Sequence, residues 1–330
     1  MTPSSLSNLM HHILPTKRPL FVWGPPGCGK SQITRQVAEQ NGLDVIDLRM
    51  LLLDPTDLRG LPHVNGDNMA HWCPPDFLPK DGNGILFLDE LPNASPMVSC
   101  SALQLVLDRR IGEWKLPDGW HVWAAGNREQ DRSVYNRIPA PLLNRFVHVE
   151  VEVDVDDWAI WAHSHGIHPL IIAFLRVRPQ LLLDMSNVTA KSFPTPRSWE
   201  YANDMFPMPE DVRYVALRGC IGDGAATELE AYLRTASGIP TEQDILTNPG
   251  GIPIPQDPSL LYALTSLMAS LAVRRDDTNQ LNALVTLCLR LPKEFTVLFC
   301  QDALKAGSKM ATCSEFSKLA KMREVQELII

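Results

Sequence analysis

The stretch Gly24-Pro25-Pro26-Gly27-Cys28-Gly29-Lys30-Ser31-Gln32 follows the apolar run Leu20-Phe21-Val22-Trp23 and opens a segment with helical spacing from Lys30 to Gln40. A glycine-rich turn between a strand and a helix admits few folds, because the two elements must pack as neighbouring layers of an α/β unit. The spacing Gly24-x-x-x-x-Gly29-Lys30-Ser31 is that of a phosphate-binding loop. In such a loop glycines let backbone N–H groups converge on phosphate oxygens, and the following helix adds its positive end. Lys30 then reaches the outer phosphates while Ser31 holds Mg²⁺. A tight turn without ligand is the plain alternative, and the strand-turn-helix context weighs against it.

Up to Val153 the apolar segments LFVW, DVIDL, ILFLD, HVWAAG and FVHVEVEV alternate with helical ones. That alternation predicts a parallel sheet with helices on both faces over residues 1–153. After Asp154 the strands stop, and DVDDWAIWAHSHG, HPLIIAFLRVRPQ, TPRSWEYANDMF and the segment around ELEAYLRTA read as helices. Asp154 is placed to cap the first of them and Gly166 to end it. A smaller helical domain is therefore expected over 154–236. Residues 237–259 hold five prolines and three glycines, which predicts a linker or surface strap without regular structure. From Leu260 helical periodicity returns, giving a helical C-terminal extension over 260–330.

The charge balance is mildly acidic, with 38 Asp and Glu against 30 Lys and Arg, which disfavours a binder that takes its affinity from duplex phosphates. The seven cysteines are scattered with no C-x-x-C pair, and the N-terminus lacks a signal-peptide pattern, so a cytoplasmic location is expected. Apolar runs such as Ile85 to Leu88 are far too short to cross a bilayer, and no membrane insertion is expected.

A site that hydrolyses a nucleotide also needs a carboxylate near the metal and a base to orient water. Ile85-Leu86-Phe87-Leu88-Asp89-Glu90 offers both at the end of an apolar strand: Asp89 to hold the Mg²⁺ water shell, Glu90 to polarise the attacking water. An acid pair after a strand is otherwise often a solvated strand end. The next strand ends in Ala124-Ala125-Gly126-Asn127, and Pro141-Leu142-Leu143-Asn144-Arg145-Phe146 follows.

At these residues the chain resembles the AAA+ ATPases, and more narrowly the MoxR family with its dynein-related neighbours, over about residues 18 to 200. The resemblance implies a P-loop NTPase αβα sandwich with a helical lid, and ATP with Mg²⁺ as cofactors. It implies that Asn127 is sensor 1, that Arg145 is an arginine finger entering the neighbouring subunit's site, and that Arg197 in Pro194-Thr195-Pro196-Arg197-Ser198 is the sensor 2 arginine of the lid. Arg137 is an additional candidate finger. A homo-oligomeric ring, usually of six subunits, is implied as well. A finger supplied in trans stabilises charge on the transferring phosphoryl group and ties hydrolysis to assembly.

Asn65-Gly66 predicts a hairpin within residues 58–79, and Pro117-Asp118-Gly119 predicts a second turn between strand-like arms. They resemble the helix 2 insert and the pre-sensor 1 hairpin of the MoxR branch. Leu61 to Cys73 carries no Lys or Arg, and Lys115 is offset by Glu113 and Asp118, which favours a protein client over nucleic acid. Trp72, Trp114 and Trp120 either grip an apolar segment or pack the hairpins onto the sheet. The clusters His163, His165, His168 and His63, His71, Cys73 are read as non-metal residues, and the Leu260–Leu271 stripe as a packing face.

The family commonly pairs with a von Willebrand factor A domain adaptor. The resemblance therefore implies a ring ATPase that remodels or activates a protein client. A nucleic-acid-directed motor of the McrB or helicase type and a nucleotide-gated scaffold are the alternatives; the Asp89-Glu90 pair speaks against the scaffold.

Overall fold

The computed structural model describes the chain except residues 65, 67, 68, 132–135, 137, 188, 189 and 330. Arg137, and Asn65 of the expected Asn65-Gly66 turn, lie outside the described residues. The chain forms two compact units, Met1–Val153 and Asp154–Ile330.

The first unit is built on a parallel five-stranded sheet in the order β2-β5-β8-β1-β9, where β1 is Leu20–Trp23, β2 Asp44–Arg49, β5 Asn83–Asp89, β8 Gly119–Gly126 and β9 Val147–Glu150. Two short antiparallel pairs stand apart from it: β3 (Leu61–Val64) with β4 (Ala70–Cys73), and β6 (Arg110–Ile111) with β7 (Trp114–Lys115). Alternate residues of each central strand serve opposite faces. Phe21, Leu86, Leu88, Val122 and Ala124 join one core with Val98, Ala102 and Leu105 of α4 (Pro96–Asp108). Leu20, Val22, Ile85, Phe87, Trp123 and Ala125 join the other with α1 (Pro3–Ile13) and α2 (Lys30–Gln40). The short helices α3 (Pro55–Arg59) and α5 (Ala140–Leu143) complete the unit. This strand order, with the phosphate loop leaving β1 beside β8, makes a parallel αβα sandwich of the kind the phosphate-loop pattern predicts. Helix α1 was not expected, although Leu6, Met10 and Ile13 at helical spacing behind a Thr2 cap and Pro3 signal it.

The second unit is helical: α6 (Val155–Ser164), α7 (Pro169–Val177), α8 (Pro196–Asp204), α9 (Glu210–Ile221), α10 (Asp223–Thr235), α11 (Glu242–Thr247), α12 (Pro258–Arg274), α13 (Thr278–Cys288), α14 (Lys293–Lys305), α15 (Phe316–Leu319) and α16 (Arg323–Ile329). Asp154 caps α6 by accepting from Asp157 N at 2.8 Å, and Gly166 follows the helix at φ +73°. Helix α12 packs on α7 and α14, so the C-terminal helices share one compact body with α6 and α7. Leu261, Leu264, Met268 and Leu271 are buried in it, which makes the Leu260–Leu271 stripe a packing face. No helix among the described residues is long and apolar enough to cross a membrane.

One expectation is corrected. Residues 237–259 contain the helix α11, because Thr241 and Asp244 form a reciprocal capping box and Ile245 is fully buried in the helical core. The turn expected at Pro117-Asp118-Gly119 forms between β7 and β8, closed by Trp120 N donating to Pro117 O at 3.0 Å, and the antiparallel pair of β6 with β7 turns separately at Gly112-Glu113. The hairpin expected within residues 58–79 forms, β3 pairing antiparallel with β4 so that Val64 lies opposite Ala70.

Candidate nucleotide site

Strand β8 lies between β5 and β1, so the C-terminal ends of all three open on one sheet edge, where ligands of open α/β sheets bind. The phosphate loop leaves β1 there. Gly24 N donates to Gly126 O at 3.2 Å, tying the start of the loop to the end of β8. A side chain at Gly24 would have its Cβ 2.6 Å from Val151 Cγ1, so the close approach requires glycine. Gly27 and Gly29 take φ of +74° and +87°, which turn the loop before α2 begins at Lys30. Pro25 and Cys28 are buried, Pro26 is half-buried, and Gln32 is exposed on the first turn of α2. Burial pushes the Cys28 thiol up, against the pull of Lys30, and leaves it a packing group rather than a thiolate.

Lys30 is buried, and its ammonium is shared among acceptors. It donates to Gly24 O at 2.8 Å, Pro25 O at 2.9 Å and Asn127 Oδ1 at 2.9 Å. The bond to Asn127 fixes that amide with its oxygen toward the lysine. Ser31 Oγ donates to Asp89 Oδ2 at 2.8 Å, and Asp89 Oδ1 accepts from Glu90 N at 3.0 Å. A hydroxyl and a carboxylate side by side are the hard oxygen donors Mg²⁺ takes, and a cationic loop of N–H groups fits a triphosphate. The residues present thus fit both groups. Glu90 sits in the left-handed region at φ +56°, and its carboxylate accepts no hydrogen bond among the described residues, which leaves its lone pairs for a water proton.

Arg145 follows α5 between the buried Leu142 and Phe146. It is exposed, and its guanidinium has no ion-pair partner among the described residues. Arg197 is exposed on the first turn of α8, a helix capped reciprocally by Thr195 and Ser198, and belongs to the second unit.

Several residues around the site were not anticipated. Arg128, next to Asn127, donates to Asp131 from Nε at 3.1 Å and Nη2 at 3.0 Å, and its Nη1 lies 3.7 Å from Glu150. Asn136 N donates to Pro92 O at 2.8 Å and its Nδ2 to Ala94 O at 3.0 Å, binding the loop after β8 to the loop after Asp89. Such contacts carry no local sequence signature.

The tryptophans divide. Trp120 is buried and donates Nε1 to Asp81 O at 2.8 Å; Trp114 is half-buried and donates to Pro79 O at 3.1 Å, so both pack rather than grip. Trp72 lies half-exposed under the Arg59 guanidinium. Leu61, Val64 and Met69 beside it are more than 60% exposed. His163 is buried between Ser270 and Asp302, His165 stacks on Trp161, and His168 caps α7. Among the described residues no cluster suited to a metal forms from His, Cys, Asp and Glu alone.

No protein-family model matches the sequence, and no curated protein matches it. Among solved structures, NtrX from Brucella abortus in complex with ADP aligns with 99% of this chain and 68% of its own, at 14% identity and a TM-score of 0.43. A second NtrX structure from the same organism aligns with 98% and 67% at 14% identity and a TM-score of 0.36. A RuvB point mutant from Thermogota maritima aligns with 84% of each chain, at 15% identity and a TM-score of 0.39.

Proposed function

We propose that this chain is a Mg²⁺-dependent ATPase that works as a homo-oligomeric ring and uses hydrolysis to remodel or activate a protein client, in the manner of the MoxR proteins. The observation that carries the reading is the paired contact Lys30–Asn127 and Ser31–Asp89. It gathers a phosphate-binding ammonium, a metal-binding hydroxyl and carboxylate, and an amide that can orient water on one sheet edge. In this reading Gly24 to Gln32 wrap the phosphates, Ser31 and Asp89 hold the metal, Glu90 takes the water's proton, and Asn127 holds that water near the γ-phosphate. Arg145 completes the neighbouring subunit's site, and Arg197 of the helical unit serves as the sensor 2 arginine. Mg²⁺ held by Ser31 and Asp89 would neutralise charge on the phosphates.

A ring is supported by the exposed Arg145, because its guanidinium finds no carboxylate among the described residues and suits a neighbour's phosphate. A protein client is supported by the exposed Leu61, Val64 and Met69 on a hairpin whose residues 61–73 lack Lys and Arg. A von Willebrand factor A domain adaptor follows only from the likeness to MoxR.

The test is steady-state hydrolysis by the wild type and by Arg145→Ala across protein concentration, with mass measured in the presence and absence of nucleotide. Specific activity is expected to rise with assembly, and Arg145→Ala to assemble without turning over. Activity independent of concentration and of Arg145 would refute the shared site. Stimulation by single- or double-stranded nucleic acid with a steep salt dependence, and none by unfolded polypeptide, would move the reading to a nucleic-acid motor.

A further inference from the structure

His148 stands where the phosphate loop and the Arg145 segment meet. It lies on β9 opposite Phe21 of β1, and its ring stacks 5.6 Å from Phe21 and 6.1 Å from Trp23. Phe21 and Trp23 themselves stack at 4.0 Å, and Phe146 meets Phe21 edge-on at 5.3 Å. The imidazole makes two hydrogen bonds. Trp23 Nε1 lies 2.9 Å from Nδ1, and Leu143 O lies 2.8 Å from Nε2.

The partners fix the tautomer. An indole N–H only donates, so Nδ1 accepts; a carbonyl only accepts, so Nε2 carries the proton. His148 therefore acts as a neutral bridge between two different segments. On one side Trp23 immediately precedes Gly24, whose carbonyl accepts from Lys30 and whose N–H reaches the strand end before Asn127. On the other side Leu143 ends α5, two residues before Arg145. Its carbonyl also accepts from Phe146 N at 3.1 Å, and Arg145 N donates to Leu142 O at 3.2 Å. The backbone around Arg145 is thus pinned before and after it, and the side-chain link between that clamp and the mouth of the phosphate loop is His148.

We propose that His148 is a positioning residue: through its neutral bridge from Trp23 to Leu143 it sets the reach of Arg145, so that a subunit's finger is aligned by the same strand that carries its own phosphate loop. The inference rests on the reading of Arg145 as a finger acting in trans. It assigns to His148 no contact with nucleotide; the residue acts through the backbone that carries Arg145. A displacement of the finger by about 1 Å is enough to cost up to about 100-fold in rate.

The experiment uses the full chain with ATP and Mg²⁺ and three substitutions. His148→Phe keeps the stack and removes both hydrogen bonds; its turnover is expected to fall about tenfold or more, with KM for ATP within about twofold. His148→Gln, whose amide can accept from Trp23 and donate to Leu143, is expected to recover to within about threefold of wild type. Mixed rings then separate positioning from general damage. Adding Glu90→Gln subunits, which supply sound fingers but no chemistry of their own, is expected to raise turnover at His148→Phe sites severalfold. Adding Arg145→Ala subunits is expected to leave it low. Rescue by Glu90→Gln also shows that the His148→Phe subunit is folded and that its own pocket is intact. If Arg145→Ala is rescued by Glu90→Gln but His148→Phe is not, or if His148→Phe turns over like wild type, the inference is wrong and the finger reading stands. If Arg145→Ala itself turns over like wild type, the finger reading fails, and the inference fails with it.

Discussion

Ser31 Oγ donates to Asp89 Oδ2 at 2.8 Å across 58 positions of sequence, joining the helix after the phosphate loop to the end of β5. In the proposed function the hydroxyl would hold Mg²⁺ and the carboxylate its water shell, and both are hard oxygen donors side by side. Ser31→Ala is expected to retain the fold and to shift the Mg²⁺ dependence of turnover upward by about tenfold or more, since one oxygen donor is lost. A magnesium titration of steady-state hydrolysis reads this directly, and an unchanged midpoint would remove Ser31 from the metal's shell.

Glu90 and Lys30 should fail in different ways. Glu90→Gln is expected to bind ATP as tightly as wild type and to turn over at least about 100-fold more slowly, because a base contributes in the transition state only. Lys30→Ala is expected to lose binding itself, raising Kd for ATP by at least about tenfold, as a buried ammonium and its charge-assisted bonds disappear. Binding calorimetry beside single-turnover kinetics distinguishes the two. Equal loss of binding in both variants would contradict the division of roles.

Gly126 is a packing requirement. A Cβ there would lie 2.3 Å from Pro92 Cγ and 2.4 Å from Pro92 Cδ, in the loop that follows Asp89 and Glu90. The proline ring is buried and cannot swing away. Gly126→Ala is expected to cost about 1–3 kcal/mol in chemical denaturation, and to lower turnover by displacing Glu90. Wild-type stability would show that the two loops yield more readily than their packing suggests.

The helical unit holds a buried ionic network that joins four helices. Asp302 of α14 accepts from Arg176 Nη2 of α7 at 2.6 Å and lies 3.3 Å from His163 Nε2 of α6, while His163 Nδ1 lies 2.8 Å from Ser270 Oγ of α12. Asp302 is fully buried, and the Arg176 side chain is 4% exposed with its Nη1 on Asp156. Asp302→Ala leaves the buried guanidinium with only the exposed Asp156 as its carboxylate and is expected to destabilise the unit by about 3 kcal/mol. A chain ended at residue 236 is expected not to fold its helices α6 to α10, because α7 loses the apolar face of α12. Urea denaturation and circular dichroism check both.

His168 gives the helical unit a pH dependence of known sign. Burial chiefly, then the nearby Arg274 and Arg213 charges, lower its pKa from 6.5 to about 4, with Glu242 opposing. Its Nδ1 accepts from Leu170 N as the cap of α7, which a protonated Nδ1 cannot do. Between pH 6.5 and about 4 the unfolded chain takes up a proton that the folded one refuses. Stability from this group is therefore whole above 6.5 and falls as the pH drops toward 4. His168→Asn, which keeps a cap and cannot titrate, is expected to flatten that part of the curve of stability against pH. A curve unchanged by the substitution would assign the slope to other groups.

Much of the site could be read from local pattern, because its parts are local. The glycine spacing of Gly24 to Ser31, the apolar strand ending in Asp89-Glu90 and the exposed run through Arg145 each occupy a few consecutive residues whose geometry is set by backbone conformation and capping. Helix α11 was legible too, in the Thr241-x-x-Asp244 box, but was masked by the prolines and glycines around it. The turn at Pro117-Asp118-Gly119 was legible, but not which strands pair around it. Arg109 donates to Pro117 O and Trp120 O, and Gly119 lies opposite Asn83 in the parallel pairing of β8 with β5. That pairing commits the segment to the central sheet and leaves β7 to turn back on β6 at Gly112.

The sequence by itself determined the pieces of this protein: a strand, a phosphate loop and a helix in that order, an acid pair closing a buried strand, and a helical second half. Tertiary structure alone decided which pieces meet. Lys30 finds Asn127 across 97 positions and Trp23 finds His148 across 125. Both meetings follow from the sheet order: placing β1 between β8 and β9 brings their residues into register, a choice made by long-range packing of both faces and written in no single segment.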